Sequence, residues 1–113
     1  MLNLKAIGHV VKWIFNYFIE NVMLNVRISV IYKGRVQGVG FRWQVRNISK
    51  NFNCTGYVKN LQDGSVEFLA EGELKEVESF IENIDSKLKG YWTQKSEDKR
   101  AGPPHFQDFS IRY

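Results

Sequence analysis

The chain has 113 residues, 43% apolar and 25% charged, which suits one soluble domain around a single small core and is too little for two domains. A net charge of +4 favours anionic partners, without choosing among nucleic acid, anionic lipid and phosphorylated metabolites. The one cysteine, Cys54, excludes an internal disulfide and fits a reducing, cytoplasmic setting.

Residues 1–22 read as an N-terminal extension. Leu4, Ile7, Val11, Ile14, Phe15, Phe18 and Val22 recur at three- and four-residue steps, with Lys5, His9, Lys12 and Asn16 on the opposite side. That is the pattern of an amphipathic helix. Lys5, His9, Lys12 and Glu20 interrupt any transmembrane span. A signal peptide is also a poor fit, because Lys12 splits the apolar stretch and no small-residue cleavage site follows. The segment is expected to pack on the domain or on a second subunit, or to precede a true start at Met23; an interfacial membrane helix, for which the two lysines are weak support, is the less favoured reading. Residues 23–113 are expected to form the domain, as a monomer.

From Leu24 the pattern changes to period two. Val26, Ile28, Val30 and Tyr32 alternate with Arg27, Ser29 and Lys33, which predicts a strand. Residues 34–41 are glycine-rich. Val45, Ile48 and Phe52 give helical spacing to about Asn53, and residues 55–59 a short strand. Asp63-Gly64 signals a hairpin turn before a third strand in which Val66, Phe68 and Ala70 alternate with Glu67 and Glu71. Leu74, Val77, Ile81, Ile84 and Leu88 mark a second amphipathic helix. A fourth strand is expected from Tyr91 to about Lys99. Residues 98–104, with their charges and Pro103-Pro104, predict a loop, and residues 109–113 a short edge strand. Strand, helix, strand, strand, helix, strand is the order of an α+β ferredoxin-like sandwich, with an antiparallel sheet and both helices on one face. Right-handed crossovers leave essentially one topology.

The stretch with the most chemical content is Gly34-Arg35-Val36-Gln37-Gly38-Val39-Gly40-Phe41-Arg42, between the first strand and the first helix of the domain. Glycines let the backbone turn tightly, and successive N–H groups can then form a concavity for an anion. The helix start adds unpaired N–H groups and a positive dipole end. Arg42 stands at that start, and a guanidinium fork meets two phosphate oxygens at once. On spacing alone, a plain turn followed by a surface arginine fits equally well. The spacing does not fit a dinucleotide fingerprint, and no Gly-Lys-Ser/Thr follows to make a Walker loop.

Two blocks together go further. Val36-Gln37-Gly38-Val39-Gly40-Phe41-Arg42, and Gly56-Tyr57-Val58-Lys59-Asn60-Leu61-Gln62-Asp63-Gly64-Ser65-Val66 at its separation, resemble the acylphosphatase family. Ala70-Glu71-Gly72 and the closing Phe109-Ser110-Ile111-Arg112-Tyr113 resemble further segments of that family. The resemblance implies hydrolysis of small acyl phosphates. It implies that Arg42 binds the substrate phosphate and that Asn60 orients the attacking water. Backbone N–H groups of Gln37, Gly38, Val39, Gly40, Phe41 and Arg42 would cradle the phosphate, with no metal and no organic cofactor.

The remaining residues read more plainly. His9 and His105 share no constellation, and Cys54 reads as a packed thiol. Asp63 reads as a turn residue, Arg35 and Arg46 as solvated charges, and Trp43 and Trp92 as packing residues. A nucleic-acid module shares this order of elements. However, the third strand lacks the basic-glycine-aromatic pattern of that class, so no nucleic-acid partner is expected. Larger hydrogenase-maturation carbamoyltransferases carry a similar N-terminal segment, but the zinc-binding cysteines that would follow it are absent from this sequence.

Overall fold

The computed structural model describes residues 4–18 and 25–113. Helix α1 spans Leu4–Phe18. It is followed by β1 (Asn25–Gly34), α2 (Phe41–Ser49), β2 (Thr55–Asn60), β3 (Val66–Glu73), α3 (Leu74–Lys87), β4 (Trp92–Ala101) and β5 (Phe109–Arg112). The boundary expected between residues 22 and 23 lies outside the described residues.

The five strands form one sheet in the order β4-β1-β3-β2-β5. Its two faces follow from the period-two pattern. Val26, Ile28, Val30 and Tyr32 of β1 lie opposite Gly72, Ala70, Phe68 and Val66 of β3, on the face that α2 and α3 cover. Arg27, Ser29 and Ile31 lie opposite Glu71, Leu69 and Glu67 on the other face. Val77, Phe80, Ile81 and Ile84 of α3 and Phe41, Val45 and Ile48 of α2 complete the core. Aromatic rings fill its centre: Phe80 meets Phe68 at 4.9 Å, Phe109 at 5.2 Å and Phe52 at 5.4 Å between centroids. Emptying such a site, as in Phe80→Ala, removes about 3–5 kcal/mol in a typical core.

Three local expectations change. Helix α2 stops at Ser49, short of Asn53, and the chain leaves through tight turns in which Lys50, Asn51 and Phe52 donate to the carbonyls three residues back. Those turns keep the helical spacing of Phe52, so periodicity could not mark the end. Strand β4 runs on to Ala101 through residues read as loop, because pairing with β1 reaches Val26 opposite Ala101. Its long charged run is the outer edge of the sheet, where charge discourages further strand pairing. Strand β5, finally, pairs with β2 in parallel. β4 runs antiparallel to β2 across the sheet, so the reversal through residues 102–108 returns the chain along the far edge in the direction of β2.

Residues 102–108 cross the open face of the sheet and are fastened there by Glu71, whose side chain is only 1% exposed. Its Oε2 accepts from the N–H groups of His105 (2.7 Å) and Phe106 (3.0 Å) and from the Thr55 hydroxyl (3.4 Å), and its Oε1 from Nε of Arg27 (2.9 Å). Burial pushes the Glu71 carboxyl up. The two N–H groups and the Arg27 guanidinium outweigh it and hold the group below its ordinary value. Period two alone would leave Glu71 in solvent; only the crossover buries it.

Packing of α1 on the domain is not what the described side chains display. Val10, Val11, Trp13, Ile14 and Phe15 are each more than half exposed.

Candidate active site

The loop between β1 and α2 is held at both ends. At its start the N–H of Arg35 donates to the carbonyl of Tyr91 (2.8 Å), and Val36 is buried. At its end Phe41 is 2% exposed and packs on Tyr32, 5.4 Å between ring centroids. The Tyr32 hydroxyl in turn donates to Asp85 of α3 (2.9 Å), so the first residue of α2 is anchored through the sheet to the second helix of the domain.

Between these anchors Gly38 and Gly40 adopt φ of 74° and 79°. This is the left-handed region, disfavoured for residues with a Cβ. The requirement is conformational, since a Cβ at either position would meet no atom within 4 Å. Gly40 is also the N-cap of α2 and supplies no side-chain cap. The first N–H groups of α2 therefore remain available beside the loop, in the geometry that suits an anion. Arg42 is the second residue of α2 and half-buried. One guanidinium nitrogen lies 3.4 Å from the carbonyl of Arg112, and the group sits 4.9 Å from the centroid of the Tyr113 ring.

Asn60 ends β2 and arrives from the other side. The turn after it closes by Leu61 N–H to Ser65 C=O (2.9 Å). The Asp63 carboxylate accepts from the hydroxyl and the N–H of Ser65, which hold it below its ordinary value. Asp63 is thus the turn residue expected. The amide oxygen of Asn60 is buried and has no hydrogen-bond partner among the described residues. Such an atom is rare in a folded protein, because an unmet buried acceptor is destabilising.

Gln37 ties the two loops together. Its amide nitrogen donates to the carbonyls of Leu61 and Ser65, at 2.8 Å each. The sequence pointed to Gln37 for its backbone N–H. The side chain instead spans from the glycine loop to the turn that carries Asn60.

Gly38, Gly40, Phe41, Arg42 and Asn60 share one cleft of about 180 Å³ with Val36, Trp43, Ile111 and Tyr113. Arg42 is the one charged side chain in this lining. A polar cavity needs only ~10–15 Å³ to seat a water, so a small anion and a neighbouring water fit together. The family model for acylphosphatase matches residues 28–111, spanning the glycine loop, the Asn60 turn and all but the last residue of β5. The chain belongs to the acylphosphatase family. It is 47% identical over 64 residues to the acylphosphatase of Methanospirillum hungatei, covering 57% of this chain and 70% of that one. The crystal structure of acylphosphatase from Bacillus subtilis superposes with a TM-score of 0.71 at 36% identity, covering 78% of this chain and 99% of that one. Full-length HypF in its phosphate- and nucleotide-bound form contains a similar region, with a TM-score of 0.64 and 30% identity, over 80% of this chain and 12% of that one.

Within this acylphosphatase fold the expected site residues divide. Gly38, Gly40, Phe41, Arg42 and Asn60 converge on the cleft. Val39 is half-buried against the core, and Gln37 is engaged with the turn. Arg35 leans over the Tyr91 ring (5.7 Å) instead of entering the cleft. Trp92 packs as expected, its ring N–H donating to the Asp85 carbonyl (3.2 Å). Trp43, read as a packing residue, is 67% exposed and forms part of the cleft wall. Its place outside the apolar positions of α2 was the available signal. Ile111 and Tyr113 come from the far end of the chain, and no local pattern links them to the loop. Among the described residues no cluster of His, Cys, Asp or Glu is arranged to hold a metal ion.

Proposed function

We propose that the chain hydrolyses the carboxyl–phosphate bond of small acyl phosphates in this cleft. In this reading Arg42 and the backbone N–H groups of residues 37–42 bind the phosphoryl group, and Asn60 positions the attacking water. The observation that carries it is the buried, unpartnered amide oxygen of Asn60, in the same lining as the guanidinium of Arg42. An amide oxygen accepts a hydrogen bond from water but is no base at neutral pH, so its contribution is orientation.

That division suits the substrate. The leaving carboxylate is stable at neutral pH, so the reaction needs no strong general acid. Phosphoryl transfer then rests on positioning and on stabilising charge at the equatorial oxygens. Arg42 carries a permanent charge, and the N–H groups at the start of α2 add fixed dipoles aimed at the same oxygens. The water loses its proton to the substrate's own phosphoryl oxygens as its oxygen bonds to phosphorus and the bond to the acyl oxygen breaks. The metal-free character implied by the family resemblance belongs to the same proposal, as do a cytoplasmic location, a monomer, and small molecules rather than nucleic acid as partners. The crossing of residues 102–108 over the open sheet face supports the last point, since a nucleic-acid-binding sheet would need that face.

The test is turnover of benzoyl phosphate. Arg42→Ala is expected to lose roughly 10³-fold or more in kcat/KM together with inhibition by inorganic phosphate. Asn60→Ala is expected to lower kcat by roughly 10²-fold while inorganic phosphate still inhibits. A near-normal kcat in Asn60→Ala would remove Asn60 from the mechanism. In isotopically labelled water the new oxygen should appear in phosphate and not in benzoate, and a chelator should leave the rate unchanged.

A further inference from the structure

No described side chain of α1 lines the cleft, and the composition of this helix is not that of a helix lying on one protein surface. With 3.6 residues per turn, Lys5, His9, Lys12 and Asn16 fall within roughly 60° of arc, while the apolar positions cover roughly 200°. Packing against a single globular surface requires an apolar stripe of only about 100°. The breadth is also real in the fold: Val10, Val11, Trp13, Ile14 and Phe15 are each more than half exposed. Trp13 borders the polar arc and stacks on Tyr17, 5.9 Å between ring centroids, which gives a pair of amphipathic rings at the edge of the apolar face.

Charge and length narrow the occupant. Leu4–Phe18 holds Lys5 and Lys12 and no acidic residue. At 1.5 Å per residue its 15 residues extend about 22 Å, against the ~30 Å of a bilayer's hydrocarbon core. None of the described helices is long and apolar enough to cross a membrane. A broad apolar face with aromatic edges, a narrow cationic arc and a length below a span describe a helix lying in an interface. A second copy of α1 would cover one stripe and leave about half of the apolar arc in water, whereas lipid covers all of it.

We propose that α1 lies in the surface of an anionic lipid bilayer, with Val11, Ile14 and Phe15 among the acyl chains and the cationic arc of the helix toward the headgroups. The helix would hold the hydrolytic domain at the membrane face. None of these residues touches the cleft, so attachment and turnover are separable.

The experiment uses the full chain and vesicles of equal parts phosphatidylcholine and phosphatidylglycerol, with pure phosphatidylcholine as the comparison. Sedimentation with the mixed vesicles is expected, weakening as salt is raised. Replacing Lys5 and Lys12 together by Gln should weaken it roughly 30-fold, at about 1 kcal/mol per lysine near an anionic surface. Val11→Glu should abolish it, with benzoyl phosphate turnover unchanged in both variants. Failure to sediment with the mixed vesicles overturns the proposal, and so does sedimentation that Val11→Glu leaves intact. A dimer in lipid-free solution that Val11→Glu dissolves, with no binding to vesicles, assigns the face to a second copy and overturns it as well.

Discussion

Two places in this domain set an arginine beside backbone N–H groups, and they differ in what meets them. On the open face of the sheet, the Arg27 guanidinium, two backbone N–H groups and a threonine hydroxyl converge on the Glu71 carboxylate. At the other site, Arg42 lines a cleft together with Gly38 and Gly40 of the glycine loop and Phe41 at the helix start, and that lining includes no acidic side chain. The first is an anion site filled from within, and it fastens residues 102–108 across the sheet. In the proposed function the second takes its anion from outside, as the phosphoryl group of the substrate. An arginine beside backbone N–H groups therefore does not identify a catalytic site by itself. What separates these two places is whether the protein itself supplies the counter-charge.

Removing the charged member at each place separates the two roles. Arg42→Ala should cost turnover, by the 10³-fold or more given above, and leave thermal stability nearly unchanged, because its guanidinium is only partly buried. Glu71→Ala should do the reverse. Losing the carboxylate strands buried donors and the Arg27 charge, and about 3 kcal/mol of unfolding free energy should go with it. Denaturant unfolding of both variants measures this, alongside kcat of whatever Glu71→Ala remains folded. A stable Glu71→Ala with poor turnover would reverse the assignment of the two sites.

Gln37 sharpens the comparison at the level of geometry. Gln37→Ala removes both hydrogen bonds between the glycine loop and the turn carrying Asn60. Its expected effect is a fall in kcat of roughly 10- to 100-fold, the scale of a misplacement near 1 Å, with inhibition by inorganic phosphate little changed. Equal loss of phosphate inhibition would make Gln37 part of the anion cradle and not a tie between loops.

Acid gives the smallest of these effects, and it too should act on one site alone. The Glu71 carboxyl in the folded protein lies below its ordinary value of 4.5. The unfolded chain thus takes up the proton first as the pH falls. The contribution of Glu71 is fully present above 4.5 and is lost progressively as the pH drops through the lower folded value. Stability measured against pH should decline in that acid window, and Glu71→Gln should flatten this part of the decline. An unchanged profile in Glu71→Gln would place the acid sensitivity elsewhere.

Much of this organisation was readable along the chain. The period-two run of Val26, Ile28, Val30 and Tyr32 and the helical spacing of Val77, Ile81 and Ile84 fix which faces are buried, and each lies in the core. Local periodicity carries such information because burial of one face is a property of the element itself. It failed at element ends, as in the turns that keep Phe52 in helical phase and the charged stretch of β4, because partners distant in sequence decide where pairing stops.

The sequence by itself determined the glycine conformations that shape the loop between β1 and α2, the helix start that follows them, and the placement of Arg42 at that start. These depend on a few adjacent residues and on the absence of a Cβ. Only the tertiary structure decided that Asn60 stands in the same cleft as Arg42 with a buried, unmet oxygen, that the Gln37 side chain joins the two loops, and that Trp43, Ile111 and Tyr113 wall the cleft. It also decided that Arg27 is neutralised by Glu71 while no acidic side chain joins Arg42 in the cleft lining. Both arginines look alike in a sequence. Charge interacts through space, and the neighbours that matter were brought there by the sheet order and by the crossing of residues 102–108.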